Sequence, residues 1–440
     1  MRNKFEKLTL LIIALAMVIG TTVCLSSCSN SMFRIVEELF ENAADSEADG
    51  DHSDNGSENS GTSNKPEDNK GGVNESGGGN SDNTGSEDED DGIAFYPGQG
   101  SVPAESISAK NRTLLSTVVV VSSFGTSPSA GSGVIYKLDK ETGDAYIITN
   151  FHVIYNKSYG YCDSVMLYLY GMKYSTYAVS ATVVGGSANY DIAVLKVEGS
   201  EVLKNSYAMA AELGDSDKVR VFDEVYAVGN PEGFGMAVTE GIVSVDSESL
   251  EMTGSMGSKI ELRVMRVSAA INEGNSGGGL YSDAGKLIGI VCAKRIGSEI
   301  DNMAYAIPVN LAKNLVDNII YFCSDGSTKT VQKPLIGITI SSKASGIVAD
   351  GETGEICIAE IIEISEIADT CIAKELVQVG DVINSITVDG VKIDVTRLYH
   401  VIDHMLTARV GSTVELCITR GGETLTVDFT VPQSAFSSVK

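Results

Sequence analysis

From Ser116 to Pro308 the chain is a succession of short β-rich runs separated by turns: STVVVVSS, GSGVIYKL, AYIITN, VMLYLYGM, YAVSATVVGG, DIAVLKV, EVYAVGN, AVTEGIVSV, KIELRVMRVS, KLIGIVCAK and AYAIP. Runs this short, at this even spacing, argue for antiparallel barrels or sandwiches. One helical pattern, Val309 to Phe322, closes the region. After Lys333 a smaller α+β block follows. Its strands are expected near Gly337–Ser342, Glu355–Ile362, Asp381–Val388, Thr413–Arg420 and Thr424–Val431, with a helical pattern from Val395 to Leu406.

The first residues read as an export signal. Arg2, Lys4 and Lys7 form a basic start, and Leu8 to Gly20 is apolar apart from Thr9. Leu25-Ser26-Ser27-Cys28 resembles a bacterial lipoprotein box, which makes Cys28 the residue to be lipidated. The alternative is an uncleaved membrane anchor, since Leu8 to Leu25 is at the short end of what spans a bilayer. Either puts residues after 28 outside the cytoplasm. Residues 29–104 are rich in Gly, Ser, Asn, Asp and Glu, a composition that buries too little apolar surface to order itself. They read as a linker, with one short amphipathic turn at Phe33 to Phe40. This linker also explains the charge: 16 acidic residues between Glu41 and Asp91 face only Lys65 and Lys70, about half of the net −27. No basic surface suits a phosphate backbone, which excludes nucleic acid as a partner.

Eight cysteines occur, with no C-x-x-C spacing. Cys357 and Cys417 sit in alternating strand-like runs where a thiol behaves as a small hydrophobe. A cysteine nucleophile is therefore disfavoured against a serine. A hydroxyl attacks a peptide carbonyl only when a base takes its proton and a third group holds that base in the right tautomer. Thr149-Asn150-Phe151-His152-Val153 carries the only histidine between Ser101 and Lys333, at the expected end of a strand. Asp191 opens DIAVLKV, and Ser276 lies in Glu273-Gly274-Asn275-Ser276-Gly277-Gly278-Gly279. Glycine flanks suit a tight loop whose N–H groups converge on one point. GNSGG also satisfies G-x-S-x-G, but the nucleophile elbow needs strand–turn–helix flanks and a histidine that follows in the same domain. Both are absent from this pattern.

These motifs resemble the HtrA/DegP family of trypsin-like serine proteases. The resemblance rests on TN-x-HV at the histidine, D-hydrophobic-AVLK at the aspartate, GNSGG at the serine, AVGNPEGFGMAVTEGIVS (227–244) and NMAYAIPVN (302–310), and it extends over about 105 to 435. It implies a mainly β fold, with a chymotrypsin-like double β-barrel protease domain at 105–325. A small α+β PDZ domain at 333–435 is implied after it. Leu335, Ile336, Gly337 and Ile338 match the peptide-carboxylate loop, and Val377-Gln378-Val379-Gly380-Asp381-Val382-Ile383 matches the turn that follows.

The resemblance also implies an ATP-independent endopeptidase acting on unfolded or damaged proteins. His152 would be its base, Asp191 the orienting group and Ser276 the nucleophile. The N–H groups of Gly274 and Ser276 would form the oxyanion hole. It further implies homotrimers, binding of peptide C-termini by the PDZ domain, and no metal or organic cofactor. His400 and His404, at i and i+4, lack an evident third ligand. Ala270, six residues before the nucleophile, stands where a preference for basic side chains requires an aspartate. An apolar, modest pocket is expected. Glu273 and Gly279 stand where the family usually has proline, which predicts added backbone freedom beside the nucleophile. That departure motivates the competing expectation of a chaperone or peptide-binding protein with a weakly active protease fold.

Overall fold

The computed structural model describes residues 106–172, 177–233, 235–292, 304–349 and 354–439. The signal or anchor, Cys28 and the acidic linker lie outside the described residues. Among the described residues no helix is long and apolar enough to cross a membrane.

A short helix, α1 (Ala109–Leu115), capped by the Ser108 side chain on Asn111 N–H, leads into the first barrel. That barrel closes through β1 (Thr117–Phe124), β2 (Ser127–Leu138), β3 (Ala145–Thr149), β4 (Ser164–Leu169), β5 (Val179–Ser187) and β6 (Ile192–Val197). Its interior is filled by Val118, Val120, Ile135, Ile147, Leu167 and Leu195, whose positions alternate with outward-facing neighbours as a pleated strand demands. The second barrel closes through β7 (Glu224–Gly229), β8 (Ala237–Thr253), β9 (Lys259–Val267), β10 (Gly279–Ser282), β11 (Leu287–Cys292) and β12 (Ala304–Pro308). Closure removes free strand edges. A separate apolar layer, including Val134, Ile148, Ile192, Val228, Leu262 and Tyr281, fuses the two barrels. Helix α2 (Phe151–Ile154) follows β3, and α3 (Val309–Cys323) lays Leu311, Ala312, Leu315, Val316 and Ile319 into that shared layer. The mainly β, trypsin-like double-barrel expectation holds.

Most strand boundaries lie within two residues of the sequence reading, and AYAIP coincides with β12. Helix α1 and the four-residue strand β10 have too little periodicity to be read. Some differences are larger: β2 starts at Ser127, before the expected GSGVIYKL run, and β8 continues to Thr253, well past AVTEGIVSV. The first hairpin of the C-terminal block runs over β13 (Ile338–Ala349) and β14 (Ile356–Ile367), well beyond the expected ends. The outer part of β13, residues 343–349, is exposed on both faces, so no apolar alternation marks it, and β14 continues through residues 363–367 against the start of β13. The C-terminal helix α4 starts at Leu398 rather than Val395. Thr396 O accepts from Glu360 N–H at 2.8 Å, and the Glu360 carboxylate accepts from Leu398 N–H at 2.8 Å. The residues before Leu398 are thus held as an extended segment.

The C-terminal sheet runs β13, β14, β15 (Val382–Val388), β17 (Thr413–Arg420), β18 (Glu423–Thr430), with β16 (Val391–Asp394) paired to β15. Helix α4 (Leu398–Met405) closes its core through Val401 and Met405. This helix also faces the second barrel. Arg263 on β9 is ion-paired with Asp403, and its guanidinium lies 3.9 Å from the Tyr399 ring centroid. Arg397 reaches Asp246 at 3.4 Å, while Asn318 Nδ2 donates to Leu406 O at 3.0 Å.

Burial pushes the Asp403 carboxyl up to about 6, against the pull of Arg263. A carboxyl raised in this way contributes most below its unfolded value of 3.8 and loses stability as pH rises through about 6. Arg263→Ala removes the compensating charge and should cost about 3 kcal/mol at pH 8. At pH 5 the loss should be smaller, because the lone carboxyl can take a proton. Urea unfolding at both pH values checks this, and equal losses would contradict it.

Candidate active site

The histidine turn and the aspartate are tied together along their backbones before their side chains meet. Phe151 N–H and the Asn150 side-chain amide both donate to Asp191 O, at 3.2 and 2.9 Å. Asp191 adopts φ 50°, a left-handed conformation that aspartate tolerates better than most residues. This turns its carboxylate back toward the histidine. His152 Nδ1 lies 2.8 Å from Asp191 Oδ2, and His152 backbone N–H donates to Oδ1 at 3.1 Å. His152 therefore sits in helix α2, not at the end of a strand as the sequence pattern suggests. The local reason is that two donors at 150 and 151 wrap the chain around Asp191.

A carboxylate can only accept, so Nδ1 carries the proton and Nε2 is left able to accept one. Asp191 is fully buried, while the His152 side chain keeps 24% exposure. The carboxylate is shielded from water, while the imidazole remains reachable from outside. Cys292, at the end of β11, donates its thiol to Asp191 Oδ2 at 3.3 Å. The sequence pattern marks the cysteines as packing residues, whereas this one touches the Asp191 carboxylate from the opposite barrel. No short motif signals it.

Ser276 is buried to 6% exposure in the loop before β10. Its carbonyl accepts from Ser132 N–H at 2.8 Å, and Gly277 N–H donates to Val291 O at 2.9 Å. Gly131, beside Ser132, packs against both Val153 and the Ser276 carbonyl, which brings the loop up to the histidine helix. Gly274 has φ 96° and Gly277 φ 84°, conformations that favour glycine. Among the described residues no acceptor takes the Gly274 N–H. Glu273 is exposed. Gly279, expected to loosen the loop, instead lies in β10, paired with Val228 and Ile290. A Cβ there would meet Tyr281 Cζ at 2.5 Å, so the buried tyrosine ring requires the glycine.

Ala270 is exposed, and its carbonyl accepts from Thr239 Oγ1 at 2.8 Å. In the C-terminal block Leu335 is exposed, with its N–H committed to Ala435 O at 2.8 Å. Ile336 and Gly337 use their carbonyls to hold Ile372 and Ala368 N–H. Gly337, at φ 81°, abuts Cys371 so closely that a side chain there would collide. His404 Nε2 lies 2.9 Å from Val391 O and His400 Nδ1 accepts from Thr396 N–H at 3.2 Å, so the two rings take different partners. Among the described residues no cluster of His, Cys, Asp and Glu could hold a metal ion.

The trypsin-like peptidase domain family matches residues 131–290, a span that contains all three candidate catalytic residues. The serine protease Do-like HtrA of Bacillus subtilis is 34% identical over 235 residues, covering 52% of this chain and 46% of that protein. The Lactobacillus helveticus protein of the same name is 30% identical over 306 residues, covering 67% of this chain and 66% of that one. The periplasmic serine endoprotease DegP of Salmonella typhimurium is 33% identical over 314 residues, or 70% of this chain and 58% of DegP. This chain belongs to the HtrA/DegP family of trypsin-like serine proteases. It spans about half to two thirds of the length of these HtrA/DegP relatives. Within the family frame, His152 and Asp191 come from the first barrel, and Ser276 and Cys292 from the second. The site is therefore built at the seam between the two barrels.

Proposed function

We propose that the chain is an exported, membrane-tethered, ATP-independent serine endopeptidase that cleaves unfolded or damaged proteins. His152 acts first as base and then as acid, Asp191 holds its tautomer, and Ser276 forms the acyl-enzyme. The N–H groups of Gly274 and Ser276 receive the oxyanion. The observation that carries this reading is the buried Asp191 carboxylate 2.8 Å from His152 Nδ1. With it goes a nucleophile loop hydrogen-bonded to the strand that packs on the histidine helix. The C-terminal block, 333–435, is a PDZ domain that takes peptide C-termini at Leu335–Ile338. Beside it, β13 and α4 supply backbone hydrogen bonds and side-chain pockets. Residues 105–325 form the protease domain, which assembles as a homotrimer. Cys28 or the N-terminal apolar run holds the protein on the bacterial membrane.

Purified protein should digest casein, and its Ser276→Ala variant should not. Equal digestion by both overturns the reading, and a variant that binds denatured casein as wild type does would leave a holding role as the activity. With Ala270 lining the first pocket, cleavage should follow Val, Ala, Ile or Leu. A peptide library read by mass spectrometry tests this, and cleavage mainly after Lys or Arg would refute it.

A further inference from the structure

Ser132 links the nucleophile loop to the strand that leads into the histidine turn, and belongs to none of the motifs that marked the site. We propose that Ser132 is a positioning residue whose side chain anchors Gly274, the residue that carries an oxyanion N–H, beside the nucleophile, a role that rests on the serine-protease reading above. Ser132 lies on β2 and is fully buried. Its N–H donates to Ser276 O at 2.8 Å, and its carbonyl accepts from Thr149 Oγ1 at 2.7 Å. Its hydroxyl donates to Gly274 O at 2.7 Å and accepts from Asn230 N–H at 2.9 Å. One hydroxyl proton and two lone pairs satisfy both side-chain bonds together. A single residue of the first barrel thus holds the carbonyls of Gly274 and Ser276, while Thr149 fixes the same residue to the start of the histidine turn.

The hydroxyl matters because Gly274 has little else to hold it. Glycine at φ 96° has wide conformational freedom, and its neighbour Glu273 is exposed. Rotation about the Gly274 backbone re-aims its N–H, the donor that a developing oxyanion needs. The hydroxyl bond to Gly274 O anchors the following peptide plane, the fixed frame against which the Gly274 N–H is aimed. The surrounding glycines fit the same account. A Cβ at Gly229 would stand 3.1 Å from Ser132 Oγ, and one at Gly278 would stand 3.2 Å from Ser132 Cβ. A Cβ at Gly277 would collide with the Ser132 carbonyl. Gly277 is therefore required by Ser132 itself, while Gly229 and Gly278, required first by Asn275 and by Val228 O, also leave Ser132 its room.

The test uses the full chain carrying Ser132→Ala, assayed on a peptide amide cleaved by the wild type. Loss of a positioned oxyanion donor lowers kcat by about 10²-fold, with KM within about threefold of wild type. Affinity for an aldehyde of the same peptide, whose adduct oxygen occupies the oxyanion position, should fall by the same factor as kcat. The pH midpoint of kcat/KM should stay in place, because the His152–Asp191 pair is untouched. Unchanged kcat overturns the proposal. So does a loss of kcat with full aldehyde affinity, which is the pattern of general structural damage. If the alanine chain does not fold, Ser132→Cys keeps the side-chain shape with a weaker donor and must show the same split at smaller amplitude. Ser276→Ala is run alongside. If wild type does not exceed it, the protease reading fails, whatever Ser132 does.

Discussion

Ser276→Ala should lower the turnover of a cleavable peptide by about 10⁶-fold, with binding of the same peptide nearly unchanged. Only Oγ is removed. The backbone of residue 276 stays fixed by the bond from Ser132 N–H, and the flanking Gly277 keeps its bond to Val291 O. The loop, including the N–H groups of Gly274 and residue 276, therefore keeps its shape in the variant. What is lost is the covalent route, leaving whatever acceleration binding and the oxyanion donors give to attack by water. Active-site titration and steady-state turnover on one preparation measure the loss. A variant that retains a tenth of wild-type turnover would mean that another group is the nucleophile.

The parts of this site that could be read from the sequence are those whose chemistry constrains neighbouring residues. A nucleophile on a tight loop needs glycines beside it, and a base needs a carboxylate. Ser276 and His152 therefore announced themselves through GNSGG and TN-x-HV. The strands were legible for a related reason: β1, β3, β6 and β11 must present apolar residues to the barrel interiors, and the runs TVVVV, AYIIT, IAVLK and LIGIV do so.

Three features were not legible. Cys292 donates to Asp191 from a strand that reads as purely apolar, because a thiol follows the same burial pattern as valine. Ser132 is one small polar residue in GSGV, and its four partners lie as far away as Gly274 and Ser276. Gly279 looked like a loss of rigidity beside the nucleophile. It is explained by Tyr281, whose ring lies against it and whose hydroxyl meets Ser116 and Thr117 at 3.0 and 2.9 Å. Cys292 and Ser132 are explained by contacts between distant segments, and Gly279 by a nearby ring whose own place is set by distant Ser116 and Thr117, none of which periodicity and spacing can report.

Asp191→Asn should reduce kcat by about 10⁴-fold while leaving the fold intact, and the donors around the carboxylate explain why asparagine cannot substitute. Oδ1 accepts the His152 backbone N–H at 3.1 Å, so an amide NH₂ cannot occupy that position without opposing two donors. The asparagine must therefore place its oxygen there and its NH₂ where Oδ2 was, 2.8 Å from His152 Nδ1. An NH₂ group at that point donates, so Nδ1 has to accept, and the ring proton moves to Nε2. The nitrogen meant to take the Ser276 proton then already carries one. The Cys292 thiol, 3.3 Å from Oδ2, also loses its acceptor, which disfavours the variant further without restoring the tautomer. Nitrogen-15 spectra of the labelled imidazole should show the proton on Nδ1 in wild type and on Nε2 in the variant. Turnover within tenfold of wild type, or an unchanged tautomer, would remove Asp191 from the role the geometry gives it.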